Sequence, residues 1–147
     1  MFHIRQPKTE TEFRQYYHLR WKLLRAPWQQ PEGSEVDDLE QHCFHLMVTN
    51  SENAVIAVAR LQSNSAAEAQ IRYMAVDEPY RGQGIGRQLI TALEHQSIKS
   101  DHGRIVLDAR DTALEFYKKQ GYEVSEKSYL LFDVIQHYRM KKNLYDK

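Results

Sequence analysis

Three of the six glycines of the chain stand at alternate positions 82, 84 and 86, between Arg81 and Arg87. Glycine carries no Cβ, so a main chain built this way can be approached closely by a bound group. A β-rich run ends near Val76, and Ile85, Leu89 and Leu93 fall on one face of a helix that starts near Gly84. The first N–H groups of a helix have no acceptor within it, and the positive end of its dipole attracts an anion. Arg81, Gly82, Gln83, Gly84, Ile85, Gly86 and Arg87 are therefore a candidate phosphate grip. A tight strand-to-helix turn without a ligand would use glycine in the same way. Three alternating glycines flanked by two arginines favour the ligand.

Spacing separates the nucleotide-type binders that compete for such a loop. A Walker A loop needs G-x-x-x-x-G-K followed by Ser or Thr, which is absent. A dinucleotide loop needs G-x-G-x-x-G; Gly82 and Gly84 fill its first two places, and the third falls on Arg87. Asp108 would suit the ribose-binding acid of that fold. Such a fold continues with further βα units, however, and fewer than 40 residues follow Asp108.

Other reactive side chains are open to two readings. Between Pro27 and Gln41 the periodicity fails, and Glu32, Glu35, Asp37, Asp38 and Glu40 occur without a lysine or arginine. This acidic loop suits a cationic acceptor, although acids in a polar loop are more often simply solvated. Glu35, Asp37, Glu40 and His45 are candidate general bases, a water chain could do the same work, and the residues leave the role unassigned. His42-Cys43-x-His45 superficially resembles metal ligation, but on a strand the two histidines face opposite sides and no fourth ligand is evident, so no metal is expected. Cys43, the single cysteine, fits a buried inert thiol better than a nucleophile.

The elements that must position these groups follow from pattern. Thr9 and Glu12 have capping-box spacing, and Phe13, Tyr17, Trp21 and Leu24 recur at helical intervals, predicting a helix from about Glu10 to Arg25. Phe2 and Ile4 alternate like a short strand. Cys43–Val48 and Ala54–Leu61 are β-rich runs around the turn formers 49–53, a hairpin, and Ala69–Val76 is a further strand. The helix after the glycine loop ends before Gly103; Arg104–Asp108 is a strand, Asp111–Gln120 a helix stopped by Gly121, and Tyr122–Met140 holds two short β runs. The order β, α, β, β, β, α, β, α, β, β packs most simply as a twisted sheet with helices on both faces.

Composition bounds the function. The chain has 147 residues, with 20 Lys+Arg against 20 Asp+Glu, so no bulk field draws it to nucleic acid or an anionic membrane. A single domain spanning 1–147 is expected. One cysteine excludes an internal disulfide framework. Met1–Lys8 lacks leader and lipidation patterns, and no apolar run is long enough for a membrane helix, so a cytoplasmic setting fits best.

Arg81, Gly84 and Gly86 match every fixed place of a pattern found after a strand in the GNAT superfamily of N-acyltransferases: Gln or Arg, two residues, Gly, one residue, then Gly or Ala. Leu107-Asp108-Ala109-Arg110, followed by Ala113, Phe116-Tyr117 and Gly121-Tyr122, resembles the strand, helix and aromatic segment that come next in that family. The likeness is strong over Gln70–Tyr122 and elsewhere follows element order. His137-x-x-Met140, Arg20 and the Glu35–Glu40 stretch more loosely resemble its ElaA-like branch. The resemblance implies an α/β fold, a mixed, mostly antiparallel twisted sheet of about six to seven strands with helices on both faces. It implies acetyl-CoA as cosubstrate, gripped by residues 81–87, with Tyr73, Met74, Ala75 and Val76 lining the pantetheine arm. It implies acetyl transfer to a primary amine of a small molecule or peptide by direct attack in a ternary complex, with no metal. Tyr117 would be the acid that protonates the leaving thiolate; outside the motif, a tyrosine on an apolar helix face is usually core. Lys118 or Lys119 could touch the 3′-phosphate. A non-catalytic acyl-CoA-binding module would keep the same loop. The resemblance and the aromatics Tyr129, Phe132, Tyr138 and Tyr145 allow a homodimer, and those side chains fit a core equally.

Overall fold

Thr9 opens the first helix by a reciprocal cap. Its Oγ1 accepts the Glu12 N–H at 3.1 Å, while Glu12 Oε1 accepts the N–H groups of Thr9 at 3.4 Å and Lys8 at 2.7 Å. That helix, α1, covers Glu10–Leu24 in the computed structural model, which describes residues 1–145. Before it lies β1, His3–Arg5; after it come β2 Phe44–Thr49, β3 Val55–Ser63, β4 Glu68–Val76, α2 Ile85–Lys99, β5 Arg104–Arg110, α3 Leu114–Lys119, β6 Glu123–Leu131 and β7 Ile135–Asn143. The element order is the one read from the sequence. The strands form one seven-stranded sheet in the order β1-β2-β3-β4-β5-β7-β6.

Backbone contacts divide the chain into two compact units, Met1–Gln62 with Tyr73–Leu89, and Ser63–Arg72 with Ile90–Lys147. In the first, β1 pairs antiparallel with β2, and β2 with β3. Asn50 closes the β2–β3 hairpin: its Oδ1 accepts the N–H groups of Glu52 and Ala54, both at 3.0 Å. Tyr16 and Leu19 of α1 pack on Met47 and Val58, flanked by Phe13, Tyr17, Leu23, Val55 and Ala75. The buried face of α1 is thus centred on Tyr16, Leu19 and Arg20, rotated from the expected Phe13, Tyr17, Trp21, Leu24 stripe. An arginine lies on that face, which a count of apolar residues passes over.

In the second unit β4 pairs parallel with β5 from Glu68↔Arg104 to Ile71↔Leu107, and β7 pairs antiparallel with both β5 and β6. Ile105, Leu107, Ala109 and Met140 are buried. Glu94 of α2 accepts from the Tyr122 hydroxyl and from Lys142 Nζ, each at 3.0 Å. The β6–β7 turn has φ 52 at Phe132 and φ 60 at Asp133, with Val134 N–H donating to Leu131 O at 3.1 Å, a type I′ turn whose twist suits a hairpin. No helix among the described residues is long and apolar enough to cross a membrane.

Candidate active site

The glycine loop makes the turn its composition requires. Gly82 has φ +79 and Gly84 φ +82, values that L side chains rarely adopt, and a Cβ added at either would meet nothing within 4 Å. The space beside both residues is open, so close packing within the protein does not explain them. Gln88 N–H donates to Gly84 O at 3.1 Å, which makes Gly84 the residue from which α2 departs. Ile85 and Gly86 open the helix, and the N–H groups of a first helical turn have no acceptor inside it. Ile85 is buried and anchors the helix start. Arg87 is exposed on the first turn. Arg81, also exposed, donates its Nε to Val76 O at 3.0 Å, and Gln83 donates to Pro79 O at 3.5 Å. A glycine-lined cradle at a helix N-terminus, with arginines on either side, fits a phosphate.

The strand leading to this loop is not regular. Pairing of β4 with β5 covers Glu68–Ile71, and Tyr73, two residues further on, has φ 54. A non-glycine residue in the left-handed region costs about 1–2 kcal/mol. Met74, Ala75 and Val76 follow that break and are half-buried.

Tyr117 belongs to the second unit, on α3, half-buried with Phe116 and Tyr122 rings at 5.0 and 6.2 Å. Its hydroxyl makes no hydrogen bond among the described residues, unlike that of Tyr122, which donates to Glu94. Desolvation pushes its phenol up to about 12, against a smaller opposing pull from Arg110. A phenol in this state keeps its proton throughout the neutral range and has a donor to give.

The acidic loop differs from a solvated one. Glu40 Oε2 accepts from Arg20 NH1 and Arg60 NH1, both at 2.8 Å, and Asp37 takes Arg60 at 2.8 and 3.0 Å through its two oxygens. Glu35 is buried and accepts the Gly33 N–H at 2.8 Å. The charges of Asp37 and Glu40 are matched inside the protein, which removes them from the argument for a cationic acceptor. His45 is buried, with Nδ1 2.8 Å from the Tyr16 hydroxyl and Nε2 2.8 Å from Glu40 O. Burial lowers its pKa, and both ring nitrogens are engaged as in a structural histidine. His42 lies on the single turn Glu40–His42, and Cys43 comes before β2 rather than in it, with Sγ 3.1 Å from Leu39 O. The thiol is half-buried, and desolvation raises its pKa, so it is a poor nucleophile. Lys118 pairs at 3.5 Å with Glu115. Asp108, the acid that would suit a ribose, is held by Arg139 at 2.9 and 3.0 Å.

The comparisons with known proteins agree with this fold. A family model described as an acetyltransferase (GNAT) domain matches residues 30–144, and the chain belongs to that family. It is 26% identical over 136 residues to the uncharacterized N-acetyltransferase YjcF of Bacillus subtilis, covering 92% of this chain and 96% of that protein. Among solved structures, Escherichia coli ElaA superposes with a TM-score of 0.80 at 17% identity, covering 97% of this chain and 99% of that one. An aminoglycoside 6′-N-acetyltransferase complexed with coenzyme A superposes with a TM-score of 0.80 at 13% identity, covering 100% and 98%. At these identities the two structures speak to the fold alone.

Proposed function

We propose that the protein transfers an acetyl group from acetyl-CoA to a primary amine on a small molecule or peptide, by direct attack within a ternary complex. The observation that carries the reading is the open, left-handed Gly82–Gly84 turn at the start of α2, which offers backbone donors to a pyrophosphate. Residues 81–87 hold that group, and the backbone of Met74, Ala75 and Val76 lines the pantetheine arm beyond the break at Tyr73. Because the family model spans residues from both compact units, we treat the chain as one acetyltransferase domain. No metal has a part in the scheme, and the setting proposed is cytoplasmic.

The neutral amine attacks the thioester carbonyl carbon, and the tetrahedral adduct collapses with loss of the C–S bond. The departing thiolate takes the Tyr117 proton. The proton lost by the amine passes to water and restores the phenol, so one amine and one thioester give one amide and one thiol. Glu35, Asp37, Glu40 and His45 are engaged in protein contacts, which favours water over a side chain as the base.

Thermal unfolding with and without acetyl-CoA, with NADH as matched control, tests the binding half. Saturation at about 100 times the dissociation constant stabilises the folded state by roughly 2.7 kcal/mol, several degrees for a domain of this size. A shift with NADH alone, or with neither, would refute the reading of the loop. Tyr117→Phe tests the chemical half: turnover drops about 100-fold or more while coenzyme affinity holds. A non-catalytic acyl-CoA-binding module would show the thermal shift and no acetyl transfer in any acceptor screen.

A further inference from the structure

Tyr73 is the one non-glycine residue among those described that has a positive φ inside a strand; Gln29, Asn53, Asp101, Phe132 and Asp133 all lie in turns. Its side chain is held as unusually as its backbone. The guanidinium carbons of Arg20, Arg60 and Arg25 stand 4.3, 4.8 and 5.6 Å from the centre of its ring. Arg20 and Arg60 have 0% exposure and are held by ion pairs to Asp37 and Glu40, with both guanidinium groups sharing Glu40 Oε2 at 2.8 Å. The Tyr73 hydroxyl reaches Asp37 Oδ2 at 3.5 Å. All these groups lie in the first unit.

The geometry points to Tyr73 as a positioning residue for coenzyme binding, its ring clamped by Arg20 and Arg60 so that β4 leaves extended geometry just before Met74. A cation over an aromatic face is attracted by the ring quadrupole, most strongly where both are desolvated. Two buried cations on one ring leave it a single place to stand, and the backbone must turn at φ 54 to put it there. Asp37 and Glu40 act at one further remove. They set the arginines, so the loop between α1 and β2 governs how well the strand presents its backbone to the pantetheine arm. The inference rests on the coenzyme reading for its ligand, while the cause it assigns to the strand's shape does not.

The test measures coenzyme A affinity by calorimetry, and amide hydrogen exchange at residues 73–77 without ligand, for wild type, Tyr73→Phe, Tyr73→Leu and Glu40→Gln. Tyr73→Phe keeps the ring and binds within about twofold of wild type; Tyr73→Leu loses it and binds about tenfold more weakly, with altered exchange at 73–77. Glu40→Gln keeps the shape, loses the charge and weakens binding several-fold. A folded Tyr73→Leu protein with unchanged affinity and unchanged exchange overturns the inference. Should Tyr73→Leu not fold, Glu40→Gln decides in the same terms. Should wild type bind no coenzyme A, the functional reading falls, and the exchange pattern alone supports or overturns the clamp.

Discussion

Replacing Gly84 by asparagine separates a turn glycine from a ligand-binding one. At φ +82 an alanine pays the left-handed penalty of about 1–2 kcal/mol, whereas asparagine visits that region readily and pays less. Nothing lies within 4 Å of a Cβ at this position, so a side chain there disturbs no packing. Gly84→Asn should therefore unfold within a degree or two of wild type, and Gly84→Ala a few degrees lower, since about 1 kcal/mol moves Tm by some 2–4 °C at this size. Binding should follow another order. Any side chain at 84 occupies the space assigned to the pyrophosphate and blocks the backbone donors of the α2 start. A hydrogen bond to a charged group is worth about 1.5–3 kcal/mol, so losing one or two weakens coenzyme A by about tenfold to ten-thousandfold. The assay is calorimetric titration of coenzyme A into both variants beside thermal unfolding without ligand. If Gly84→Asn binds as wild type does, the glycines serve the turn only, and the phosphate assignment is wrong.

Three further outcomes are expected. Because desolvation pushes the Tyr117 phenol up to about 12, the acid stays protonated and turnover should show no Tyr117-dependent fall between pH 6 and about pH 10.5; a descending limb near pH 10 that Tyr117→Phe abolishes would contradict this. Burial lowers the pKa of both His45 and His137, so the unfolded chain takes up protons near pH 6.5 that the folded protein refuses; stability is full above that pH and declines below it, and a Tm that stays flat from pH 7 to pH 5 would speak against it. Glu40→Ala leaves Arg20 and Arg60, both at 0% exposure, without a shared partner and should cost about 3–5 kcal/mol in denaturant unfolding, with a loss under about 1 kcal/mol counting against the clamp.

What could be read in advance was local or repetitive. The Thr9–Glu12 cap needs four consecutive residues, and the glycine loop announces itself within seven, so both appear where the sequence places them. The Arg20–Glu40–Arg60–Tyr73 cluster could not be read so, because its members are far apart in the chain and arginine is by default an exposed residue. The acidic loop misled for the same reason: its cations come from α1 and β3. The last two strands are longer than the short runs expected of them; in β6, bulges between Val124 and Glu126 and between Lys127 and Leu130 interrupt the alternation that marks a strand. Pattern is equally silent on strand neighbours, so the place of β7 had no signal.

That place bears on how the protein is made. β7 follows β6 in the chain yet lies between it and β5, so β6 leaves the ribosome before the strand it will pair with exists. Until residues 135–143 emerge, β5 and β6 both wait with bare edges, a state prone to pairing with other chains. A nascent chain stalled before Ile135 should bind chaperones and resist soluble expression, while one released beyond Asn143 can zip both edges with a single strand.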